Sequence, residues 1–181
     1  MHTYLYIHGY GSTGNAHKAQ LLQQMFPNSK VITPTIDYNT ENPYNILERL
    51  KDICTKNQVE MIIGSSMGGY FALCCCTFFE GPIWAINPVR EIMRIIHQLA
   101  LPNSMITPEH SANVEKFNQE IFKNLHPKPK QFNFALSTDD ELLGNHAPLL
   151  EMFPQHNYVA CFDHSGHPYT RFWELKPYLA L

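Results

Sequence analysis

The stretch Met61-Ile62-Ile63-Gly64-Ser65-Ser66-Met67-Gly68-Gly69 carries the strongest structural signal in this sequence. Its apolar start is typical of a buried strand, and residues 70–73, which follow it, are compatible with a helix. Between the two lies a Gly-x-Ser-x-Gly pattern, typical of a sharp turn that exposes a serine hydroxyl at the top of a sheet. The pattern predicts Ser66 as a nucleophile; the alternative is a glycine-rich turn in which Ser66 caps the helix. Ser65 lacks glycines at both flanking positions, and we expect it to have a structural role.

Short apolar runs alternate with helical patterns along the whole chain. Six runs predict strands, at residues 3–8, 30–36, 60–65, 82–87, 131–137 and 158–162. Three longer patterns predict helices, at residues 17–26, 43–57 and 68–79. Several predicted strands are apolar nearly throughout, which is typical of a parallel sheet covered by helices on both faces. The alternation therefore predicts an α/β fold with a mostly parallel six-stranded sheet flanked by helices.

The length of 181 residues predicts a single domain over residues 1–181. One interval between predicted strands, residues 88–130, is long enough for two or three helices and is divided by prolines. We predict that it forms a small helical cap inserted over one edge of the sheet. A long crossover with no role over a site is an equally open interpretation.

The first predicted strand runs into the loop His8-Gly9-Tyr10-Gly11-Ser12. Glycines allow a backbone N–H to approach a substrate carbonyl closely, and the residue after a nucleophilic serine supplies a second N–H. We therefore expect the backbone N–H groups of Tyr10 and Met67 to form an oxyanion hole. A rival interpretation is a dinucleotide-binding loop, because glycines stand at positions 9, 11 and 14 and Asp37 lies near the expected spacing. That rival leaves the serine motif unexplained.

Two polar clusters follow the last two predicted strands, where a chain order of serine, acid and histidine would place the acid and the histidine. The clusters are Ser137-Thr138-Asp139-Asp140-Glu141 and Asp163-His164-Ser165-Gly166-His167. Among the acids we expect Asp140 to have this role. We expect His167 to be the base, because Ser165-Gly166 gives a flexible approach to the site. The candidates that stay open are Asp139 and Asp163 for the acid and His164 for the base.

Composition and charge argue against several other classes of protein. The net charge is −3 with scattered basic residues, unlike a nucleic-acid-binding surface. No run approaches the ~18 apolar residues of a membrane span, and the N-terminus lacks the features of a signal peptide, so we expect a cytoplasmic protein. The five cysteines, including Cys74-Cys75-Cys76, contain no C-x-x-C pair and are interpreted as reduced, packed side chains. We expect no metal and no cofactor.

Five motifs occur in a distinctive order along the chain. They are Tyr6-Ile7-His8-Gly9-Tyr10, Ile63-Gly64-Ser65-Ser66-Met67-Gly68-Gly69-Tyr70, Ile86-Asn87-Pro88, Thr138-Asp139-Asp140-Glu141 and Gly166-His167. Together they resemble the YqiA/YcfP-like small esterases, a compact branch of the α/β-hydrolase superfamily. The resemblance implies a compact α/β-hydrolase fold that acts on short acyl esters or thioesters in the cytoplasm. The family pattern Gly-Asp-Glu corresponds to Asp139-Asp140-Glu141 here, which implies that Asp140 is the acid.

These observations lead to one main hypothesis and one alternative from another class. The main hypothesis is a serine esterase of carboxylesterase or thioesterase type, in which Ser66, His167 and Asp140 cleave a small acyl ester through an acyl-enzyme. A lysophospholipase or lactonase would use the same residues. The alternative is a non-catalytic or weakly active binding protein that keeps the fold. Catalysis is favoured because every position of the triad holds a competent residue.

Overall fold

A computed structural model describes residues 1–15, 17–99 and 106–179 of the protein. It contains six strands: β1 (Thr3–Ile7), β2 (Lys30–Ile32), β3 (Met61–Ser65), β4 (Ile83–Ile86), β5 (Phe132–Ser137) and β6 (Tyr158–Phe162). Their order across the sheet is β2-β1-β3-β4-β5-β6, and every neighbouring pair is parallel. The predicted α/β fold is confirmed, and the sheet is parallel throughout rather than mostly parallel. The carboxyl ends of all six strands therefore lie at one edge.

Helices cover both faces of this sheet. They are α1 (His17–Met25), α2 (Pro43–Asn57), α3 (Met67–Cys74), α4 (Ile92–Leu99), α5 (Pro108–Glu120), α6 (Ala147–Met152) and α7 (Lys176–Leu179). Short 3-10 turns occupy Cys75–Thr77, Phe122–Asn124 and Phe172–Leu175. Among the described residues, no helix combines the length and the apolar character that crossing a membrane requires.

The sheet separates two apolar cores. Leu5 faces one core, which it shares with residues of α2, α3, α4 and α5, and its neighbour Tyr6 faces the other, which it shares with α1 and α7. This alternation follows from strand geometry, because successive side chains point to opposite faces. Burial on both faces explains why the central strands are apolar at nearly every position.

The segment 88–130 forms α4, α5 and the 3-10 turn after α5. Phe117 of α5 packs edge-on against Tyr44 of α2, with ring centroids 5.0 Å apart, and lies 6.3 Å from Tyr70 of α3. This helix is thus part of the layer that covers the sheet. Residues 100–105, which fall inside the predicted cap, lie outside the described residues, and the cap itself stays a prediction.

Two elements end more than two residues before the predicted position. The sequence predicts the second strand over 30–36, but β2 ends at Ile32. Pro34 has no N–H to donate to a neighbouring strand, and the N–H of Ile36 donates to His8 Nε2, 2.9 Å away, rather than to the sheet. The helix expected over 68–79 ends at Cys74 and tightens into a 3-10 turn, as is common at the last turn of helices. The short α6 and α7 were not predicted, because four to six residues show little periodicity.

The turn between β3 and α3 depends on two glycines that permit close backbone packing. A Cβ atom on Gly68 would overlap the carbonyl oxygens of Ile7 and His8 at the end of β1, and a Cβ atom on Gly64 would overlap the carbonyl oxygen of Gly68. The N-terminus of α3 can therefore lie directly against β1 only if these positions carry no side chain.

Replacing Gly68 with alanine should destabilise the fold severely. We expect Gly68→Ala to lower the free energy of unfolding by at least about 3 kcal/mol, because the displaced atoms are backbone and cannot rotate away. The matched control is Gly144→Ala, where φ is +69° but no atom lies within 4 Å of the added Cβ; we expect a loss of only about 1–2 kcal/mol there. Urea unfolding measures both, and equal losses would contradict the packing argument.

Candidate active site

Ser66 occupies a strained turn between β3 and α3. Its φ and ψ are 56° and −117°, a conformation that residues other than glycine rarely adopt. Backbone hydrogen bonds fix the turn: the N–H of Ser66 donates to the carbonyl of Ile86, and the carbonyl of Ser66 accepts from Tyr70 and Val89. Strain of this kind persists only where the surrounding structure enforces it, and it is concentrated at functional sites.

The hydroxyl of Ser66 contacts the imidazole of His167. The distance from Ser66 Oγ to His167 Nε2 is 2.8 Å, although 101 positions separate the two residues in the sequence. His167 lies on the loop that follows β6. A serine hydroxyl within hydrogen-bonding distance of an imidazole nitrogen is the arrangement in which histidine can remove the serine proton.

The other ring nitrogen of His167 contacts Asp140, which follows β5. His167 Nδ1 lies 3.0 Å from Asp140 Oδ2 and 3.1 Å from Oδ1. The Asp140 side chain is fully buried, whereas the His167 side chain is 13% exposed. The structure thus brings Ser66, His167 and Asp140 into one continuous chain of contacts.

The surroundings of Asp140 favour its charged form. Burial alone would raise its pKa, but close contacts with His146, His167 and the N–H of Leu143 outweigh burial and lower the pKa well below its usual range. Asp140 Oδ1 accepts from the N–H groups of Leu142 and Leu143 at 3.0 and 2.8 Å. A carboxylate held in this way is a fixed negative charge beside the imidazole of His167.

Sequence reasoning missed His146, which lies next to Asp140. Its Nε2 lies 3.2 Å from Asp140 Oδ2, and the residue is buried. The approach is close but poorly aligned for a hydrogen bond, and Nε2 has no other hydrogen-bond partner among the described residues. The carboxylate therefore lies between two histidines. Only the proximity of His146 to the Asp139-Asp140 cluster in the sequence could have signalled this contact.

The alternative candidates have other contacts. Asp139 Oδ1 accepts from the N–H groups of Ser165 and Gly166, each at 3.1 Å, so this carboxylate holds the histidine loop rather than the imidazole. Asp163 accepts a hydrogen bond from the hydroxyl of Thr138. His164 is exposed, and among the described contacts neither Asp163 nor His164 reaches Ser66.

The side chain of Asn87 holds the loop that carries His167. The motif Ile86-Asn87-Pro88 gave no sign of this role in the sequence. The side chain is fully buried, and Nδ2 donates to the carbonyl oxygens of Gly166 and His167 at 3.0 and 3.1 Å. Its Oδ1 accepts from the N–H of Ser137 at 2.7 Å. One amide thus joins the end of β5 to the loop that carries the imidazole.

The loop after β1 passes beside Ser66. A Cβ atom on Gly9 would lie 3.2 Å from Ser66 Cβ and 3.8 Å from Ser66 Oγ. Within the described parts of the chain, the backbone N–H groups of Tyr10 and Met67 have no hydrogen-bond acceptor. Free N–H groups on both sides of a nucleophile are what an oxyanion hole requires, so the predicted role of Tyr10 and Met67 stays a prediction that the geometry allows.

A pocket of about 470 Å³ opens onto Ser66 and His167. Apolar side chains form much of its wall, including Leu21 of α1, Leu99 of α4 and Phe172 near the C-terminus. Its size is in the usual range for sites that bind small organic molecules.

Comparison with known proteins identifies the family. The model of a family described as "Uncharacterised protein family (UPF0227)" matches residues 3–174. The chain belongs to this family. That assignment confirms the family resemblance predicted from the sequence motifs.

Solved α/β-hydrolase structures share the fold of this UPF0227 member. Est1E from Butyrivibrio proteoclasticus with ferulic acid bound is 12% identical, with a TM-score of 0.73, over 99% of this chain and 88% of that chain. A putative hydrolase of the alpha/beta superfamily from Xanthomonas campestris pv. campestris is 15% identical, with a TM-score of 0.68, over 99% and 98%. The esterase domain of a Rhodothermus marinus protein is 12% identical, with a TM-score of 0.70, over 98% and 84%. At these identities the likeness concerns the fold alone.

The lowered pKa of Asp140 predicts how stability depends on pH. The ionised carboxylate stabilises the folded state above the usual pKa of 3.8, and this contribution is lost as pH falls below that value. We expect the difference in free energy of unfolding between wild type and Asp140→Asn to be largest at about pH 5 and to shrink toward about pH 3. Glu151→Gln, at an exposed position on α6, is the control and should show no such trend. A difference that is constant over this range would contradict the prediction.

Proposed function

We propose that this protein is a serine hydrolase of the esterase or thioesterase type, with Ser66 as nucleophile, His167 as general base and acid, and Asp140 as the orienting carboxylate. The observation that carries the proposal is the continuous chain from Ser66 Oγ through both nitrogens of His167 to Asp140. These three groups come from three separate loops at the carboxyl edge of the sheet. The strained conformation of Ser66 at the turn supports the same role.

The proposed reaction has two stages. Ser66 Oγ attacks the acyl carbonyl while His167 Nε2 takes its proton, and Asp140 stabilises the resulting imidazolium. The N–H groups of Tyr10 and Met67 stabilise the oxyanion, each contributing about 2.7–4 kcal/mol if it acts like other such donors. His167 then gives the proton to the leaving alcohol or thiol. In the second stage water, deprotonated by His167, releases the carboxylic acid and restores Ser66.

The pocket favours a small acyl ester over a polymer. Its volume of about 470 Å³ fits an acyl chain with a compact leaving group, and no metal or cofactor is needed for the reaction. Leu99, the last described residue of α4, lines the pocket, and it is the observation that supports residues 88–130 as a cap. The cytoplasmic location expected from the sequence stays a prediction.

A fluorophosphonate probe tests the proposed nucleophile. The probe reacts with activated serines, and peptide mass spectrometry locates the adduct. We expect labelling on Ser66 that is lost in Ser66→Ala and at least about 100-fold slower in His167→Ala, because the hydroxyl then lacks its base. The matched control is Ser111→Ala, which removes a serine on α5 outside the pocket. Ser66 should be labelled in this variant at the wild-type rate. Folded wild-type protein that resists the probe would refute the proposal and favour the binding-protein alternative.

Paired asparagine variants test which aspartate is the acid. We expect Asp140→Asn to lower kcat for a 4-nitrophenyl ester by about 100- to 10,000-fold, because the imidazole loses its orientation and its counter-charge. Asp139→Asn should lower kcat far less, because Asp139 contacts only the backbone of the histidine loop. The reverse order of effects would assign the acid to Asp139.

A further inference from the structure

Lys18 is the one described basic side chain that lines the pocket besides histidines. It projects from the first turn of α1 and is half-buried, and its Nζ donates to Ser65 Oγ at 3.1 Å. Ser65 directly precedes Ser66 in the chain, and both line the same pocket. The ammonium group therefore lies close to the proposed reacting bond, although no step of the proposed reaction uses it.

The surroundings of Lys18 leave a positive charge without a negative partner. An ammonium has three N–H donors, and Ser65 Oγ is the only acceptor that the described residues supply. No described carboxylate lies within 4 Å of Nζ, and the pocket residues include no Asp or Glu. The exposed Lys56, by contrast, pairs with the carboxylate of Asp52 at 2.8 Å.

A half-buried cation without a charged partner is costly, and this cost calls for an explanation. Burial of an ammonium without a partner disfavours its charged form, and here it lowers the pKa of Lys18 to about 8. Lys18 is thus still mostly protonated at neutral pH. A second charge of opposite sign in the pocket would relieve the cost and strengthen the hydrogen bonds that the ammonium makes.

We infer that Lys18 binds an anionic group of the substrate, so that the preferred substrate is an ester or thioester that carries a carboxylate or a similar anion near the scissile carbonyl. The inference rests on the proposed function of Ser66. Three donors on a flexible stem suit a single anionic group, and Ser12, which lines the same pocket, can add a hydrogen bond from its hydroxyl. The anion can belong to the acyl chain or to the leaving alcohol.

Matched pairs of esters separate these two sources. In the acyl pair, the mono-4-nitrophenyl ester of adipic acid is compared with the same ester in which the free carboxylate is a carboxamide. In the alcohol pair, 4-butanoyloxybenzoate is compared with 4-butanoyloxybenzamide. Carboxylate and carboxamide have the same shape, so the ratio of their kcat/KM values reports the effect of charge, and any general loss of activity cancels.

We expect wild type to prefer the carboxylate in at least one pair and Lys18→Met to lower that preference by about 10- to 100-fold, as for the loss of one charge-assisted hydrogen bond. Lys18→Arg, which keeps the charge, should retain most of the preference. Lys56→Met, on the exposed face of α2, is the control and should leave the ratio unchanged. A wild-type preference for the carboxamide in both pairs, or a ratio that Lys18→Met leaves unaltered, would overturn the inference.

Binding to Ser66→Ala protein separates this inference from the proposed function. Dissociation constants for the same carboxylates and carboxamides, measured by calorimetry, require no turnover. We expect the carboxylate to bind more tightly to Ser66→Ala and to lose that advantage in the double variant Ser66→Ala/Lys18→Met. Equal binding of both compounds to Ser66→Ala would overturn the anion site even if Ser66 proves to be the nucleophile. If wild type resists the fluorophosphonate probe while the carboxylate advantage persists, the proposed chemistry fails and the anion site stands.

Discussion

The approach of α3 to the end of β1 is the constraint on which the rest of the site depends. Gly68 meets the carbonyl oxygens of Ile7 and His8 with no side chain between them. This contact fixes the turn before α3 in a conformation that forces Ser66 to a φ of 56°. The same contact brings the loop after β1 alongside the serine, so that Gly9 lies next to Ser66. The proposed nucleophile and its expected oxyanion donors thus have a common structural origin.

His167 is positioned by a different set of contacts, which hold the loop after β6. Its loop is anchored by Asn87, which follows β4, and by Asp139 and Glu141, which follow β5. Glu141 accepts a hydrogen bond from the N–H of His167 at 2.8 Å. A loop held at several backbone positions allows the imidazole to meet Ser66 without a large loss of side-chain freedom. Asp140, buried between His146 and His167, adds a negative charge that water screens poorly. Rigid backbone and buried charge together suit the imidazole to the role of proton acceptor that the proposed reaction gives it.

Most of the fold could be predicted from the sequence because its signals are local. Alternating apolar runs and helical stripes reveal strands and helices, and the motif around Ser66 places the turn between them. The end of β2 was missed although Pro34 marks it locally, and the hydrogen bond from Ile36 to His8 across the fold is the part of its cause that the sequence does not show. The same reason explains the missed residues of the site. Asn87 gave no local sign that it holds the histidine loop, and a lysine at the start of a helix, such as Lys18, is more often exposed than half-buried beside a proposed nucleophile.

The central claim is that Ser66 carries the acyl group during turnover, and a rapid acid quench tests it most directly. Protein mixed with 4-nitrophenyl hexanoate and quenched before the first turnover ends is analysed by mass spectrometry of its peptides. The account predicts a hexanoyl group on the peptide that contains Ser66, with fragment ions that place it on that side chain. Turnover with the acyl group on Ser65, or with no acyl-protein at any quench time, would contradict the claim.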